Sequence, residues 1–307
     1  MANSLLLQKI NKVEILASAS KLQRLLFNPY KYISSIFFRD FLYKKSKKEK
    51  LVKAQVFFGE IMNIALPAST DIYLTGGKSH DSEIRLAKFI IQTLNSGDHF
   101  LDIGAHYGYF TLLAAKLVGE TGKISAFEPS VNSFHLLQQN CDSHSNISIY
   151  QQAVSNTQDS IHFYEFDNLH SEYNSADVKQ FEQEDWFKQS PPKKISVSCT
   201  TIDQVTASGF CPKIIKIDVE GGEYNVVKGA LRFIENNMPF IAMEYLEPGR
   251  HNIEHQKAVA FLKEHGYKTY IIESSGLLKD IEDIDSYLLK NKLESDNIVF
   301  RKNTFVN

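Results

Sequence analysis

The sequence of 307 residues is poor in three features that mark other classes of protein: cysteine pairs, net charge and long apolar runs. Its three cysteines, Cys141, Cys199 and Cys211, are scattered without a C-x-x-C pair, so neither a zinc site nor a disulfide framework is predicted. This usage fits a reducing compartment, and we expect a cytoplasmic protein. The formal net charge of −2 argues against a general nucleic-acid-binding protein.

No apolar stretch of the sequence approaches the roughly 20 residues that a membrane-spanning helix needs. The N-terminus, MANSLLLQKINK, has no basic lead-in and no clear cleavage site, so no signal peptide is expected. Residues 37–53, FFRDFLYKKSKKEKLVK, place a dense basic run after aromatic and aliphatic side chains. Two interpretations stay open for this segment: peripheral contact with an anionic membrane surface, or the ordinary solvated end of a helix.

The pattern of apolar residues divides the chain into an accessory segment over residues 1–78 and a larger domain over residues 79–307. Residues 5–43 have a spacing that is compatible with one or two helices. KAQVFFGEIMNIAL (53–66) and TDIYLTGG (70–77) predict short strands, closed by the turn at Gly76 and Gly77. The accessory segment is therefore expected to be a helical and hairpin extension.

In the larger domain, strand-like and helix-like segments alternate, which is typical of a parallel sheet with helices on both faces. ISIYQQAV (147–154) is predicted as one strand, and YKTYIIE (267–273) and DNIVFRK (296–302) as an antiparallel pair at one sheet edge. Residues 167–192 interrupt this order with a long polar stretch that carries several aromatic side chains. These side chains are expected either to close over a bound acceptor or to pack the insertion onto the domain.

Acidic residues stand at the ends of four predicted strands: Asp102, Glu128, Asp218 and Glu244. Open α/β sheets bind their ligands outside the carboxyl ends of the strands. Four acids at one edge would repel each other unless they bind polyhydroxyl groups, cations or protons. The pattern therefore indicates a ligand that carries hydroxyl groups or positive charge.

The stretch FLDIGAHYGYFTLLAAKL (100–117) has the strand–turn–helix pattern of a nucleotide site but lacks the third glycine of the dehydrogenase fingerprint. Gly104 and Gly108 allow the backbone to approach a ligand, towards which the following helix points its N–H groups. Asp102 would be unfavourable beside a pyrophosphate and favourable beside an ammonium group. Glu128 follows where a carboxylate can accept hydrogen bonds from ribose hydroxyls. Together these features describe S-adenosylmethionine as the cofactor.

Several motifs resemble, in order and spacing, the FkbM family of S-adenosylmethionine-dependent methyltransferases: FLDIGAHYG, AFEPS, QQAVSN, TTIDQV and IIKIDVEGGEYNVVKGA. The resemblance covers roughly residues 79–247, and the KIDVEG-E element is its most specific part. It implies a class I (Rossmann-like) α/β fold with a seven-stranded, mostly parallel sheet and an antiparallel last strand. It also implies O-methyl transfer, often to sugars or to polyketide-like natural products.

The resemblance assigns cofactor-binding residues one by one. The cofactor loop of the family matches four residues of this chain: Asp102, Gly104, Ala105 and Gly108. The ribose-binding acid and the proline that follows it match Glu128 and Pro129. Ala153 and Val154 match the place where the adenine ring packs, and Gln152 is the nearest polar residue to its amino group.

Methyl transfer to a hydroxyl needs an aligned acceptor and a base that removes its proton. We expect Asp218 to flank the methyl group of the cofactor and to act as the base or to position the acceptor. Lys216 points to the same face of a regular strand and either assists Asp218 or forms a simple ion pair. Glu220 either binds the acceptor or is a turn acid. His106 stands where the family more often has asparagine, and it either accepts a proton or only forms a hydrogen bond.

A metal and two other functions are alternatives to this hypothesis. Asp218 and Glu244 could bind Mg²⁺, but the sequence makes no third ligand evident, so a metal-free site is expected. An NAD(P)-dependent Rossmann oxidoreductase would share the turn and Glu128 but would leave the strand-end acids unexplained. A non-catalytic cofactor-binding or membrane-docked module would not need those acids. The leading hypothesis is an O-methyltransferase that acts on a sugar, glycan or glycosylated small molecule, without a nucleic-acid partner.

Overall fold

The structure, a computed structural model, describes residues 2–176, 178, 181–182 and 185–302. Short helices surround a β-hairpin in the N-terminal segment. Its elements are α1 (Ala2–Ser18), α2 (Lys21–Phe27), α3 (Pro29–Phe37), a π-helical turn (Phe38–Tyr43), α4 (Lys44–Ser46), β1 (Lys50–Gln55), β2 (Ile61–Leu66) and α5 (Thr70–Thr75).

Two predictions for the N-terminal segment are wrong, although it is a helical and hairpin extension. Residues 5–43 contain three α-helices and a π-helical turn, because the side chains of Ser20 and Asn28 cap new helices at α2 and α3. The stretch 70–77 is helix α5 and not a strand, and it ends at Gly76 in the left-handed region. The hairpin instead joins β1 and β2, which pair antiparallel.

Strands and helices alternate in the rest of the chain. Its elements are α6 (Asp81–Thr93), β3 (His99–Ile103), α7 (Tyr109–Val118), β4 (Lys123–Phe127), α8 (Val131–Cys141), β5 (Ile147–Tyr150), β6 (Ala153–Val154), β7 (Ser160–Glu165), a 3₁₀ helix (Asn168–Tyr173), α9 (Asp185–Gln189), β8 (Lys193–Thr200), α10 (Ile202–Thr206), β9 (Ile214–Ile217), α11 (Glu223–Lys228), α12 (Leu231–Asn236), β10 (Phe240–Leu246), α13 (Ile253–Glu264), β11 (Tyr267–Ile272), β12 (Leu278–Asp280), α14 (Ile284–Asn291) and β13 (Ser295–Lys302). Within the described ranges, no helix has both the length and the apolar character that crossing a bilayer requires.

Among the described residues, eight strands form one mixed sheet in the order β12–β11–β13–β10–β9–β3–β4–β5. Strands β10, β9, β3, β4 and β5 run parallel to one another, whereas β13 runs antiparallel to both β10 and β11. The predicted class I fold, mostly parallel with an antiparallel last strand, is confirmed. The sheet has one strand more than predicted, because the short strand β12 pairs with β11 and forms the edge.

The segment 147–154, predicted as one strand, is divided between two sheets. β5 is the last strand of the main sheet, whereas β6 pairs with β8 and β8 pairs with β7 in a separate sheet. The division takes Ala153 and Val154 out of the main sheet and into the wall of a cavity.

Alternate residues of the central strands face two apolar layers, because successive side chains of a strand point to opposite faces. Phe100 and Ile214 belong to the layer that includes α6, α7 and α8. Leu101 and Ile215 belong to the layer that includes α11, α12, α13 and α14. Ile10 of α1 lies in the first layer, so the N-terminal segment shares the core of the larger domain. The domain boundary at residue 78 stays a prediction.

A buried ion pair links α6 to β13. The guanidinium of Arg85 donates to the two carboxylate oxygens of Asp296 at 3.0 and 3.2 Å and to the carbonyl oxygen of Ile272 at 2.7 Å. Asp296 is fully buried and also accepts a hydrogen bond from the Tyr287 hydroxyl at 2.9 Å. Because a buried carboxylate without a cation is costly, Arg85 stabilises the packing of α6 on the sheet.

Replacing Arg85 by methionine is expected to lower the free energy of unfolding by about 3–5 kcal/mol, because Asp296 would keep its burial and lose its cation. Urea denaturation of the full chain measures this loss. The matched control is Arg250→Met, which breaks a 2.8 Å pair with the largely exposed Glu294. The control should cost less than about 1 kcal/mol. Equal losses in the two variants would contradict the importance of the buried pair.

Candidate cofactor and active site

A cavity of about 330 Å³ lies at the carboxyl ends of β3, β4 and β9. The chain runs outward from β3 to β4 and β5 and later returns to β9 on the other side of β3, so the connections switch direction here. Most of the predicted cofactor-binding residues line this cavity: Gly104, His106, Glu128, Pro129, Gln152, Ala153, Val154 and Asp218. The structure thus brings these residues together around one space.

Three predicted cofactor residues are buried and are not among the described residues that line this cavity: Asp102, Ala105 and Gly108. Asp102 accepts a hydrogen bond from Thr111 Oγ1 at 2.6 Å, and its other oxygen lies 3.5 Å from Lys216 Nζ. Asp102 therefore links the first turn of α7 to Lys216. A direct contact between Asp102 and the ammonium group of the cofactor stays a prediction.

The loop after β3 approaches the end of β9 so closely that Gly104 has no room for a side chain. Its φ is 78°, and a Cβ atom there would lie 1.7 Å from the carbonyl oxygen of Asp218. The N–H of Asp218 donates to the carbonyl oxygen of Ile103 at 3.0 Å, which fixes the two strand ends together. This close approach exposes the backbone of the loop to a ligand in the cavity.

Glu128 joins the two loops that a bound nucleoside would contact. Its Oε2 accepts from the N–H of His106 at 2.8 Å, and its Oε1 accepts from the N–H of Ser130 at 2.9 Å. Each oxygen keeps a second lone pair, which suits the two hydroxyls of a ribose. Burial raises the pKa of Glu128 to about 7, so further hydrogen-bond donors from a ligand would stabilise its carboxylate.

His106 is held as a neutral hydrogen-bonding group. Its Nε2 lies 3.1 Å from Ser171 Oγ, and its ring stacks on Tyr107 with 3.7 Å between the centroids. Burial lowers the pKa of His106 to about 4, so the ring is uncharged and a weak base at neutral pH. Of the two sequence interpretations, this geometry favours the hydrogen-bonding role over proton acceptance.

Lys216 forms an ion pair beneath the cofactor loop. Its Nζ lies 3.2 Å from Asp218 and 3.5 Å from Asp102, and it donates to the carbonyl oxygen of Gly104 at 3.1 Å. Burial opposes its charge, but the carboxylates of Asp218 and Asp102 raise the pKa of Lys216. The side chain therefore stays cationic and orients Asp218, as one of the two predicted roles requires.

Three carboxylates converge at the ends of β9 and β10. Asp218, Glu220 and Glu244 place one oxygen each within 4.8 Å of the others. Burial, followed by the negative charge of Asp218, raises the pKa of Glu244 well above its ordinary value. Glu220 supplies the third ligand that the sequence did not make evident, so these acids meet the geometric condition for a cation as well as for hydroxyl groups.

Among the cavity residues that sequence reasoning missed is an ion pair, Lys78 with Glu172. Lys78 Nζ lies 3.0 Å from Glu172 and 2.7 Å from Glu83, and both Lys78 and Glu172 line the cavity. Glu172 belongs to the insertion, and Lys78 follows the turn that ends the N-terminal segment. No local pattern signals this pair, because it forms only when the insertion folds back across the loop after β3.

The aromatic side chains of the insertion pack against each other. Trp186 stacks on His170, with 4.2 Å between the ring centroids, and also contacts Tyr173 and Phe166. Of the two predicted roles, this arrangement favours packing of the insertion. The polar residues of the same segment reach the cavity through Ser171, Glu172 and Asn174. Residues 177, 179–180 and 183–184 of the insertion lie outside the described residues.

Carboxylates outnumber cations around the cavity. Glu128, Glu172 and Asp218 line it together with one lysine, Lys78, and Glu244 lies beside Asp218. Carboxylates in this number are a poor setting for a pyrophosphate and a better one for a sulfonium or an ammonium group. The close loop at Gly104, the buried carboxylate of Glu128 and the number of carboxylates all fit S-adenosylmethionine.

Replacing Gly104 by alanine is expected to abolish cofactor binding, because the new Cβ would force the loop away from Asp218. Calorimetric titration with S-adenosylhomocysteine measures the affinity, and urea denaturation measures stability. Gly209→Ala is the matched control, because Gly209 has a similar φ of 88° but no atom within 4 Å of an added Cβ. The control should cost about 1–2 kcal/mol of backbone strain and leave the affinity unchanged. Normal cofactor binding by Gly104→Ala would contradict the claim that binding depends on the close approach of this loop to Asp218.

Comparison with known proteins gives one family and several distant structural likenesses. A family model described as the methyltransferase FkbM domain matches residues 102–269, which is more than half of the chain. Comparison with curated proteins gives no match. The match covers the cofactor loop, the strand-end acids and the insertion. It identifies this domain as a methyltransferase domain and not as an oxidoreductase.

Three of the solved structures that the chain resembles are distant in sequence. FkbM methyltransferase from Methylobacillus flagellatus KT has 14% identity and a TM-score of 0.40, covering 76% of this chain and 52% of that chain. An S-adenosylmethionine-dependent O-methyltransferase from Thermotoga maritima has 12% identity and a TM-score of 0.41. The alignment covers 84% of this chain and 79% of that chain. Aeropyrum pernix fibrillarin with bound S-adenosylmethionine has 13% identity and a TM-score of 0.39. The alignment covers 71% of this chain and 74% of that chain. With the family match over residues 102–269, the chain belongs to the FkbM family of S-adenosylmethionine-dependent methyltransferases.

Proposed function

We propose that the chain methylates a hydroxyl group of a sugar, in a glycan or a glycosylated small molecule. The observation that supports this proposal is the cluster of Asp218, Glu220 and Glu244 beside the cofactor cavity. Carboxylates accept hydrogen bonds from the many hydroxyl groups of a sugar, and they repel the phosphates of a nucleic acid. The cluster therefore favours a polyhydroxyl acceptor.

The cavity residues divide the binding of the cofactor between them. Bound S-adenosylmethionine would supply an electrophilic methyl group on a sulfonium ion. Glu128 would hold its ribose, while Ala153 and Val154 would pack against its adenine ring, with Gln152 as the nearest polar side chain. The carboxylate of Asp218 would face the positive end of the cofactor.

Asp218 is the carboxylate best placed to meet the acceptor hydroxyl. Its side chain is 35% exposed at the cavity wall, and Lys216 holds it from below at 3.2 Å. Asp218 orients the hydroxyl by accepting its hydrogen bond and takes its proton as the oxygen–carbon bond forms and the carbon–sulfur bond breaks. Glu244 lies beside Asp218 in the same cluster, and burial and the charge of Asp218 raise its pKa.

Replacing Asp218 by asparagine is expected to lower the rate of methyl transfer by about 10²–10⁴-fold, because an amide does not accept the proton. The affinity for S-adenosylhomocysteine should change little, since the other lining residues remain. Transfer of a labelled methyl group to glycan fractions gives the rate, and calorimetry gives the affinity. Asp98→Asn is the matched control, because it breaks a 2.7 Å pair with Lys213 and leaves the cavity intact.

Mass spectrometry of glycans and small metabolites identifies the acceptor in cells that produce either the wild type or Asp218→Asn. The proposal expects a sugar-containing species that loses the mass of one methylene unit in the variant. A change confined to the methylation of protein or nucleic acid would contradict it. Repeating the transfer in EDTA distinguishes the two uses of the acid cluster: loss of transfer that Mg²⁺ restores would assign the cluster to a metal.

A further inference from the structure

An exposed apolar surface covers one side of the N-terminal segment. We call it the apolar stripe and define it by seven side chains of α2, α3 and the π-helical turn, each between 51% and 79% exposed: Leu22, Leu26, Phe27, Tyr30, Ile33, Phe37 and Phe41. Tyr30, Ile33, Phe37 and Phe41 recur at helical spacing, so they share one face. The rings of Phe37 and Phe41 stack with 5.2 Å between centroids.

The π-helical turn and α3 are packed against the protein on their other side. Phe38 and Tyr43 are buried in a cluster with Leu66 of the hairpin. Lys31 donates to the carbonyl oxygen of Tyr73 in α5 at 3.1 Å. On α3 and the π-helical turn, the apolar stripe is therefore not the inward side, and its exposure there is a property of the folded segment.

Exposed lysines follow the apolar stripe directly in the chain. They are Lys44, Lys45, Lys47, Lys48 and Lys50. The whole chain has a formal net charge of only −2, so this concentration of positive charge is local. An apolar face bordered by lysines matches a bilayer surface, where acyl chains accept the aromatic side chains and anionic headgroups attract the ammonium groups.

We propose that the apolar stripe and its lysines dock on the surface of a membrane that contains anionic lipids. A second copy of the chain is a poorer occupant, because a two-fold contact pairs this face with itself and adds no oppositely charged surface to it. A membrane offers the opposite charge. The interaction is peripheral, with the side chains of α2, α3 and the π-helical turn entering the headgroup region.

Hydrogen bonds connect the segment that carries these lysines to the insertion and to the cofactor loop. The Tyr43 hydroxyl accepts from the N–H of Leu169 at 3.1 Å, and Glu49 accepts from Asn168 at 2.8 Å. Asn168 also donates to the Tyr107 hydroxyl at 3.1 Å, next to the cofactor loop. Docking would therefore hold the insertion, and the cavity that it lines, at a fixed position relative to the membrane.

Vesicle flotation of the full chain tests the proposal without using methyl transfer, so its result is independent of the acceptor. The chain should float with vesicles that contain about 30% anionic lipid, and binding should weaken at about 0.5 M salt. Replacing Lys44, Lys45, Lys47 and Lys48 by glutamine should weaken binding roughly fivefold for each lysine removed. The triple variant Leu26→Ser, Phe27→Ser and Phe41→Ser should abolish it.

The control variant is Leu277→Ser with Leu289→Ser, which removes two side chains that are 58% exposed and lie outside the stripe. It should bind vesicles as the wild type does. Thermal stabilisation by S-adenosylhomocysteine verifies that each variant is folded. Equal binding to neutral and anionic vesicles would overturn the proposal. A wild-type dimer that ignores vesicles and becomes monomeric in the stripe variant would also overturn it and assign the stripe to a second copy.

Discussion

The buried ammonium of Lys216 is the contact on which the rest of the site depends. It lies 3.2 Å from Asp218 and 3.5 Å from Asp102, and it donates to the carbonyl oxygen of Gly104. One cation thus joins the ends of β3 and β9 and lies between the fully buried carboxylate of Asp102 and the partly exposed carboxylate of Asp218. This cation and the hydrogen bond from the N–H of Asp218 to the carbonyl oxygen of Ile103 together hold the cofactor loop against the end of β9.

Around Lys216, the site has more carboxylates than cations. These carboxylates suit a positively charged cofactor, and those at the ends of β9 and β10 also accept hydrogen bonds from hydroxyl groups. His106 adds a hydrogen-bonding surface without adding charge, because burial lowers the pKa of its ring to about 4. The insertion closes one side of the cavity through Glu172, whose pair with Lys78 ties it to the N-terminal segment.

The sequence predicted the parts of this site that depend on neighbouring residues. The glycines of the loop and Glu128 stand directly after buried strands, and a strand followed by a helix leaves few alternatives for where they point. The contact of Lys78 with Glu172 spans 94 residues, so no local pattern could signal it. Glu220 joins the acid cluster through a turn in which its φ is 53°, which non-glycine residues seldom adopt. Residues 70–77 were mistaken for a strand because a short apolar run fits either element.

The most direct test of this account is the variant Lys216→Met, which keeps the bulk of the side chain and removes its charge. We predict that the free energy of unfolding falls by about 3–5 kcal/mol, because Asp102 stays buried without a cation. Affinity for S-adenosylmethionine should weaken at least about tenfold, and adding Asp102→Asn should restore stability but not affinity. Calorimetric titration and urea denaturation of the single and double variants measure both quantities. Wild-type stability and affinity in Lys216→Met would contradict the claim that this cation organises the site.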